Sequence, residues 1–199
     1  MTRANDRTAD YPIDPLFLER WSPRAFTGEE ISETELMTLF EAARWAPSSY
    51  NSQPWRFLYA RRQTPPFARF LGLLNEFNQS WAKNASALVV VVSNSLMLPP
   101  RAEKPIPSHS HSFDAGAAWA QLALQGARSG WHAHAMVGFD IARTFAELNV
   151  PQGYRVEAAI AIGRWGDPAS LPEALRAREQ PSSRTPVADI SFEGGFAPA

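Results

Sequence analysis

Residues 41–60 read EAARWAPSSYNSQPWRFLYA, and the way this stretch changes character divides the chain. On its left, ISETELMTLFEAARWAP (31–47) carries a helix. Ser32 and Glu35 have capping-box spacing, and Leu36, Leu39, Phe40 and Ala43 recur at helical intervals. Pro47 disfavours a helical conformation at Ala46, so the helix stops there. On its right, WRFLYA (55–60) is rich in aromatics and reads as a strand. Between the two lie Ser48, Ser49, Asn51 and Gln53, each able to donate and to accept hydrogen bonds. Serine and asparagine suit a turn because they bond their own backbone. Glutamine is not a turn former, so Gln53 is the residue that a plain turn explains poorly.

Working outward, Asp14-Pro15 predicts the start of a short helix through Leu16, Phe17 and Leu18, ending near Arg20. Residues 66–81 predict a single helix with Phe67, Phe70, Leu71, Leu74 and Phe77 on one side. ASALVVVVS (85–93) is a continuous β-branched run, the pattern of a strand covered on both faces. LMLPPRAEKPIPSHSH (96–111) is a proline-rich loop long enough to act as a lid over a site. A long helix is expected over 112–128, closed by Gly130. WHAHAMVGF is part strand, Asp140 caps a helix to Asn149, and YRVEAAIAIG (154–163) is a strand. Beyond Gly166 the chain is expected to run extended, apart from a short helix near 172–178. Three regions follow: a disordered or extended lead-in (1–13), a folded domain (14–167) and a C-terminal arm (168–199) without a core of its own. Strands and helices alternate too irregularly for a doubly wound parallel sheet. GxGxxG and GxxxxGK[ST] are absent, so a glycine cradle for phosphate is unsupported.

Composition narrows the function. The chain has 199 residues, 45% hydrophobic and 20% charged, with a formal net charge of −1, which gives no global field for nucleic acid or anionic lipid. It has no cysteine, which excludes disulfides, thiolate metal sites and thiol nucleophiles. The N-terminus lacks the apolar region of a secretory signal, and the longest apolar run, Ala87–Val92, is too short to span a bilayer. A cytoplasmic location is the expectation. Seven Trp and twelve Phe are enough for a core, with some left for a flat-ligand pocket or a subunit interface.

A second dense segment, RWSPRAF (20–26), places Arg20, Ser22 and Arg24 two apart. In an extended chain they face one side and converge on one anion, and arginine's planar fork suits phosphate. RWSPRAF followed by EAARWAPSSYNSQPWRF resembles the paired R-x-S-x-[RK] and A-P-S-x-x-N-x-Q-P-W elements of the nitroreductase family of flavoproteins. NQSWAKNASALVVVV, SFDAGAAWAQLALQGARSGWHAHAMVGFD, AAIAIGRWGDP and SSRTPVADI resemble that family's later segments, so the resemblance covers about residues 15–190.

The resemblance implies an α+β nitroreductase-like fold: a mixed, mainly antiparallel sheet flanked by helices, in an intertwined homodimer with an extended C-terminal arm packed on the partner subunit. It implies FMN bound between two chains, reduced by NADH or NADPH at flavin N5, and reoxidised by a nitroaromatic, quinone or similar small acceptor in a ping-pong cycle. It places Arg20 and Arg24 at the phosphate and the ring's polar edge, with Arg24 stabilising the reduced flavin. Ser22 meets the ribityl or phosphate, and Trp21 contributes backbone contacts. Pro47, Ser48, Ser49 and Asn51 line the ring from the other subunit, with Gln53 close by. Asn78 meets the pyrimidine edge, a backbone N–H near Val137 or Gly138 meets N5, and Arg184 meets the phosphate. No side-chain nucleophile is required. Two positions depart from the family pattern: Ser182 and Trp81 stand where many members carry a basic residue.

Two other readings belong to different classes. The histidines form two H-x-H pairs, His109/His111 and His132/His134, which on strands present both rings to one side and suggest a metal hydrolase. The chain is otherwise a carrier or sensor that binds FMN without turnover.

Overall fold

The computed structural model describes residues 5–196. Its centre is a four-stranded sheet in the order β1-β2-β6-β5, formed by β1 (Trp55–Arg61), β2 (Ala87–Asn94), β6 (Tyr154–Gly163) and β5 (His132–Met136). Every pairing in this sheet is antiparallel. The expected mixed, mainly antiparallel sheet is antiparallel throughout among the described residues. β1 pairs with β2 and β5 with β6, each with the next strand in the chain, and the long-range pairing of β2 with β6 joins the two halves.

The apolar run of β2 is explained by helices on both faces. Leu88, Val90 and Val92 enter a core with Phe70, Trp81, Met136 and Ala159. Val89 and Val91 enter a second core with Leu36, Leu39, Leu122 and Ile160. The first core is covered by α3 (Phe67–Leu73), α4 (Glu76–Ala82) and α6 (Ile141–Glu147), the second by α2 (Glu33–Arg44) and α5 (His111–Arg128). Alternation along a strand sends successive residues to opposite faces, so a strand sandwiched this way is apolar at every position.

Local signals set the helix ends. Ser32 Oγ accepts the Glu35 N–H while the Glu35 carboxylate accepts the Ser32 N–H, so the capping box forms. Asp140 caps α6, and Gly130 turns the chain after α5 at φ +77. α1 (Leu16–Glu19) ends at Arg20, and the Asp14 carboxylate accepts the Leu16 N–H at 2.8 Å.

Three expectations change. The single helix over 66–81 is broken: Leu74 is extended and Asn75 caps a new helix by accepting the Asn78 N–H. Leu74 bridges to Phe139 instead, stays buried, and Phe77 turns out to solvent at 50% exposure. The proline-rich loop holds a small ribbon, β3 (Leu96–Met97) paired with β4 (Ile106–Pro107). The arm, expected on a partner subunit, begins on its own chain: α7 (Glu173–Arg176) buries Leu175, and Leu171 joins the same core. Two leucines that complete an apolar core outweigh the extended character of the surrounding prolines and serines. Residues 5–13 run without helix or strand and are tied down by Arg7. Residues 1–4 of the lead-in and 197–199 of the arm lie outside the described residues.

Candidate functional site

The 20–24 segment runs across the β5 side of the first core. Trp21 is buried edge-on against Trp165 and His132, at centroid distances of 5.5 and 6.2 Å. Its ring is therefore core. The Pro23 carbonyl accepts the His134 Nδ1–H at 2.9 Å, and His134 packs on Trp81 at 4.8 Å. The Glu179 carboxylate, from the arm, accepts the N–H groups of both Arg24 and Ala25 at 2.8 Å.

Held this way, the segment projects two arginines, and neither makes a salt bridge among the described residues. Arg20 Nη1 donates to Ser22 Oγ at 3.3 Å, so these two converge as expected. Burial, then the charge of Arg184, holds the Arg20 guanidinium below its usual range. Arg7 is lowered by the same causes in the same order, with Arg20 a further one. Arg7, Arg20 and Arg184 thus form one cluster, drawn from the lead-in, the end of α1 and the arm, and none is ion-paired to a carboxylate among the described residues. Arg24 sits apart, beside Arg178, with its Nε buried and unpartnered. Beneath them His132 and His134 are pushed down to about 4, chiefly by burial, with Arg20 acting on both and Arg24 on His134. Both rings are therefore neutral at pH 7 and add no charge of their own beneath the arginines.

Asn78, Val137 and Gly138 also meet. Asn78 is buried, and its amide donates to the Gly138 carbonyl at 2.9 Å; that carbonyl also accepts the Asn75 N–H at 3.0 Å. A Cβ on Gly138 would stand 2.5 Å from Asn75 Nδ2 and 2.6 Å from Asn78 Nδ2, so only glycine allows this approach. Val137, beside it, is 80% exposed.

The loop 48–53 is held on the other side of the sheet. Tyr50, Asn51 and Gln53 all take positive φ, of 50, 52 and 46, a conformation costly for side-chain-bearing residues and concentrated at functional sites. Ser48 Oγ accepts the Gln53 N–H at 3.0 Å, and Gln53 Nε2 donates to the Asn51 carbonyl at 3.0 Å. Gln53 is thus part of the turn after all, through its side chain. The buried Asp114 of α5 accepts the Ser49 N–H at 3.2 Å and the Ser110 hydroxyl at 3.0 Å. Pro47 is exposed at the loop's entrance, and Trp55 is buried in the second core rather than presented to a ligand.

Next to this loop lies a network the sequence did not announce. A bulge between Val91 and Val92 leaves Glu157 outside the β2–β6 register. Its Oε1 accepts the hydroxyls of Ser93 and Ser112, and Ser93 Oγ lies 2.7 Å from His111 Nδ1. The bulge re-aims a side chain that would otherwise follow the strand's alternation, and it ties the start of α5 to the sheet one turn before Asp114. His111 is absorbed in this network while His109 is exposed, and His132 and His134 pack on separate indoles. No group of three or more His, Asp or Glu able to hold a metal occurs among the described residues. No helix is long and apolar enough to cross a membrane among them either.

Of the residues singled out in the sequence, the structure gathers Arg20, Ser22 and Arg184 in one cluster, Asn78 of α4 with Val137 and Gly138 just after β5 in another, and Pro47, Ser48, Ser49, Asn51 and Gln53 in a loop beside α5. No described hydrogen bond joins that loop to the first two groups within one chain. Arg7, Asp114 and Glu179 went unrecognised because each acts on a residue far away in sequence.

Comparison with known proteins follows the same lines. The pattern of the nitroreductase family matches residues 18–65, which include both the arginine segment and the polar loop. A crystal structure of an oxidoreductase containing FMN superposes with a TM-score of 0.93 at 49% identity, covering 99% of each chain. A nitroreductase family protein from Streptococcus pneumoniae TIGR4 shares the fold at a TM-score of 0.71 and 20% identity, over 89% of this chain and 98% of that one. An uncharacterized 15.4 kDa protein of Mycolicibacterium smegmatis is 36% identical over 129 residues, 64% of this chain and 82% of that protein. The oxygen-insensitive NADPH nitroreductase of Helicobacter pylori strain J99 is 40% identical over 79 residues, but the match spans only 37% of that enzyme. With its fold, its paired motifs and nearly half its residues shared along a whole relative, this chain belongs to the nitroreductase family.

Proposed function

We propose that the protein is an FMN-dependent oxidoreductase that uses NADH or NADPH to reduce a nitroaromatic, quinone or similar small acceptor in a ping-pong cycle, at a site built from two copies of the chain. The observation that carries this reading is the guanidinium cluster of Arg20 and Arg184, which joins opposite ends of the chain and is ion-paired to no carboxylate among the described residues. Like charges held together in a partly buried place favour an anion of about two charges, such as a phosphate monoester.

The remaining donors fit the rest of FMN. Asn78 spends its amide N–H on Gly138 and keeps its Oδ1 for the pyrimidine edge. Gly138, without a Cβ, lets the Asn75 and Asn78 amides close on its backbone and so fixes how Asn78 is presented. Arg24, with its buried Nε unpartnered, offers positive charge where the ring gains electrons. When bound, FMN supplies the redox chemistry, taking hydride from the nicotinamide and giving electrons to the acceptor. The protein's part is to bind, orient and exclude water.

A second copy completes the site. Ser48, Ser49 and Asn51 stand on the sheet's other side, so a ligand touching Arg20 reaches them on a partner's loop. Large exposed apolar groups surround that loop: Trp45 at 71% exposure, Tyr50 at 63% and Phe113 at 81%. Exposed patches of this kind favour a covering surface. The test is the visible spectrum of the purified protein, reconstituted with FMN where needed and treated anaerobically with NADH or NADPH. Flavin bands that bleach and recover on adding a quinone or nitroaromatic are expected. A protein that binds no flavin refutes the reading, and a bound flavin that neither nicotinamide reduces makes it a carrier.

A further inference from the structure

Arg7 lies in a lead-in with no secondary structure, yet it is more firmly held than most surface arginines. Its Nε donates to the Ser182 carbonyl at 2.9 Å, and its Nη1 donates to the carbonyls of Leu18 and Arg20 at 3.0 and 2.8 Å. One guanidinium thus clips the lead-in, the end of α1 and the arm together. The Nη2 group has no described partner. Arg184 curls over the same arm residue, with Nη1 donating to Ser182 Oγ at 3.0 Å.

A purely structural clip does not call for this placement. Arg7 stands close enough to Arg20 and Arg184 for their charges to oppose its own, and no acidic side chain among the described residues is ion-paired to any of the three. Carbonyl oxygens compensate a guanidinium only partly, and a neutral side chain of similar shape would avoid the repulsion altogether. A third cation in such a place is stabilised when an anion binds.

Building on the FMN reading above, we propose that Arg7 is a third guanidinium of the phosphate site, supplied by the N-terminal lead-in. The lead-in is then part of the binding site rather than a leader to it. Arg7 is a binding residue whose contribution is specific to the phosphate and indifferent to the isoalloxazine.

The experiment compares two flavins that differ only in the phosphate. Flavin-free wild-type protein and Arg7→Gln are titrated with FMN and with riboflavin, following flavin fluorescence. The loss of one charge-assisted contact is expected to weaken FMN about tenfold and to leave riboflavin within about twofold. Equal weakening of both flavins, or no change in either, overturns the proposal and leaves Arg7 a clip alone. A second measurement needs no variant: modification of Arg7 by phenylglyoxal in the wild-type protein, read by mass spectrometry. FMN and inorganic phosphate are expected to slow it, and riboflavin is not; equal rates under all three conditions overturn the proposal. A wild-type protein that binds neither flavin instead refutes the FMN reading itself.

Discussion

Lowering the pH should unfold this protein through two histidines before it does so through most of its carboxylates. His132 and His134 sit beneath the arginine segment, and burial with the nearby guanidinium charges pushes both from 6.5 down to about 4. As pH falls below 6.5 the unfolded chain takes up these protons and the folded chain does not. The contribution is therefore fully present above the unfolded value and is lost progressively toward pH 4. A displacement of that size corresponds, at about 1.4 kcal/mol per pH unit, to on the order of 3 kcal/mol for each ring. Both are partly open to solvent, so about 3–5 kcal/mol for the pair between pH 7 and pH 4.5 is the working figure. That is a large share of the about 5–15 kcal/mol typical of a whole domain. The assay is urea unfolding of flavin-free protein at half-unit pH steps, for the wild type and for His132→Gln/His134→Gln. Glutamine at 134 keeps a donor for the Pro23 carbonyl but cannot titrate. The wild type should lose stability more steeply than the variant as pH falls from 6.5, and the difference between the two curves should level off below about pH 4. Parallel curves from pH 7 to pH 4.5 would show that neither ring is held neutral and that the charge reasoning at this site is wrong.

Other outcomes test the rest of the site. Arg20→Ala combined with Arg184→Ala should release FMN on gel filtration, since two of the cluster's three guanidinium groups are removed; full retention of flavin counts against the phosphate assignment. Glu179→Ala leaves the buried N–H groups of Arg24 and Ala25 without an acceptor and should cost about 2–4 kcal/mol in chemical denaturation, whereas Glu179→Gln keeps an acceptor oxygen and should cost much less. Gly138→Ala forces a methyl group into Asn75 and Asn78 and should destabilise by about 1–3 kcal/mol while shifting the bound-flavin spectrum; an unchanged spectrum and unfolding midpoint would mean the approach is not tight. Ser32→Ala should cost about 1 kcal/mol through loss of the capping box, with flavin affinity unaffected.

Much of the fold and part of the site were legible because they depend on near neighbours. Ser32 and Glu35 announce a helix three residues apart, and Asp140 caps the next one in the same way. The run through Val89–Val92 requires cover on both faces wherever it sits. The arginine segment and the polar loop could be recognised since their residue types and spacing are themselves the signal. Periodicity failed where two interpretations shared one pattern: Phe67, Phe70, Leu71, Leu74 and Phe77 fit one helix, but Asn75 can also cap, and the bridge from Leu74 to Phe139 settles the matter in favour of a break.

What only the tertiary structure decided concerns groups that meet across long stretches of chain. Asp114 reads as an ordinary helix acid until the loop amide of Ser49 is set against it. Glu179 reads as a surface charge until it accepts two buried N–H groups of the arginine segment. Glu157 meets His111 and Ser112 only because a bulge lifts it out of register, and Arg7 meets Arg20 and Arg184 only because the arm folds back over α1. Sequence determines such elements because helix caps and strand alternation are local free-energy choices. Which elements then meet depends on how the whole chain buries its apolar faces, and no short window of residues carries that information.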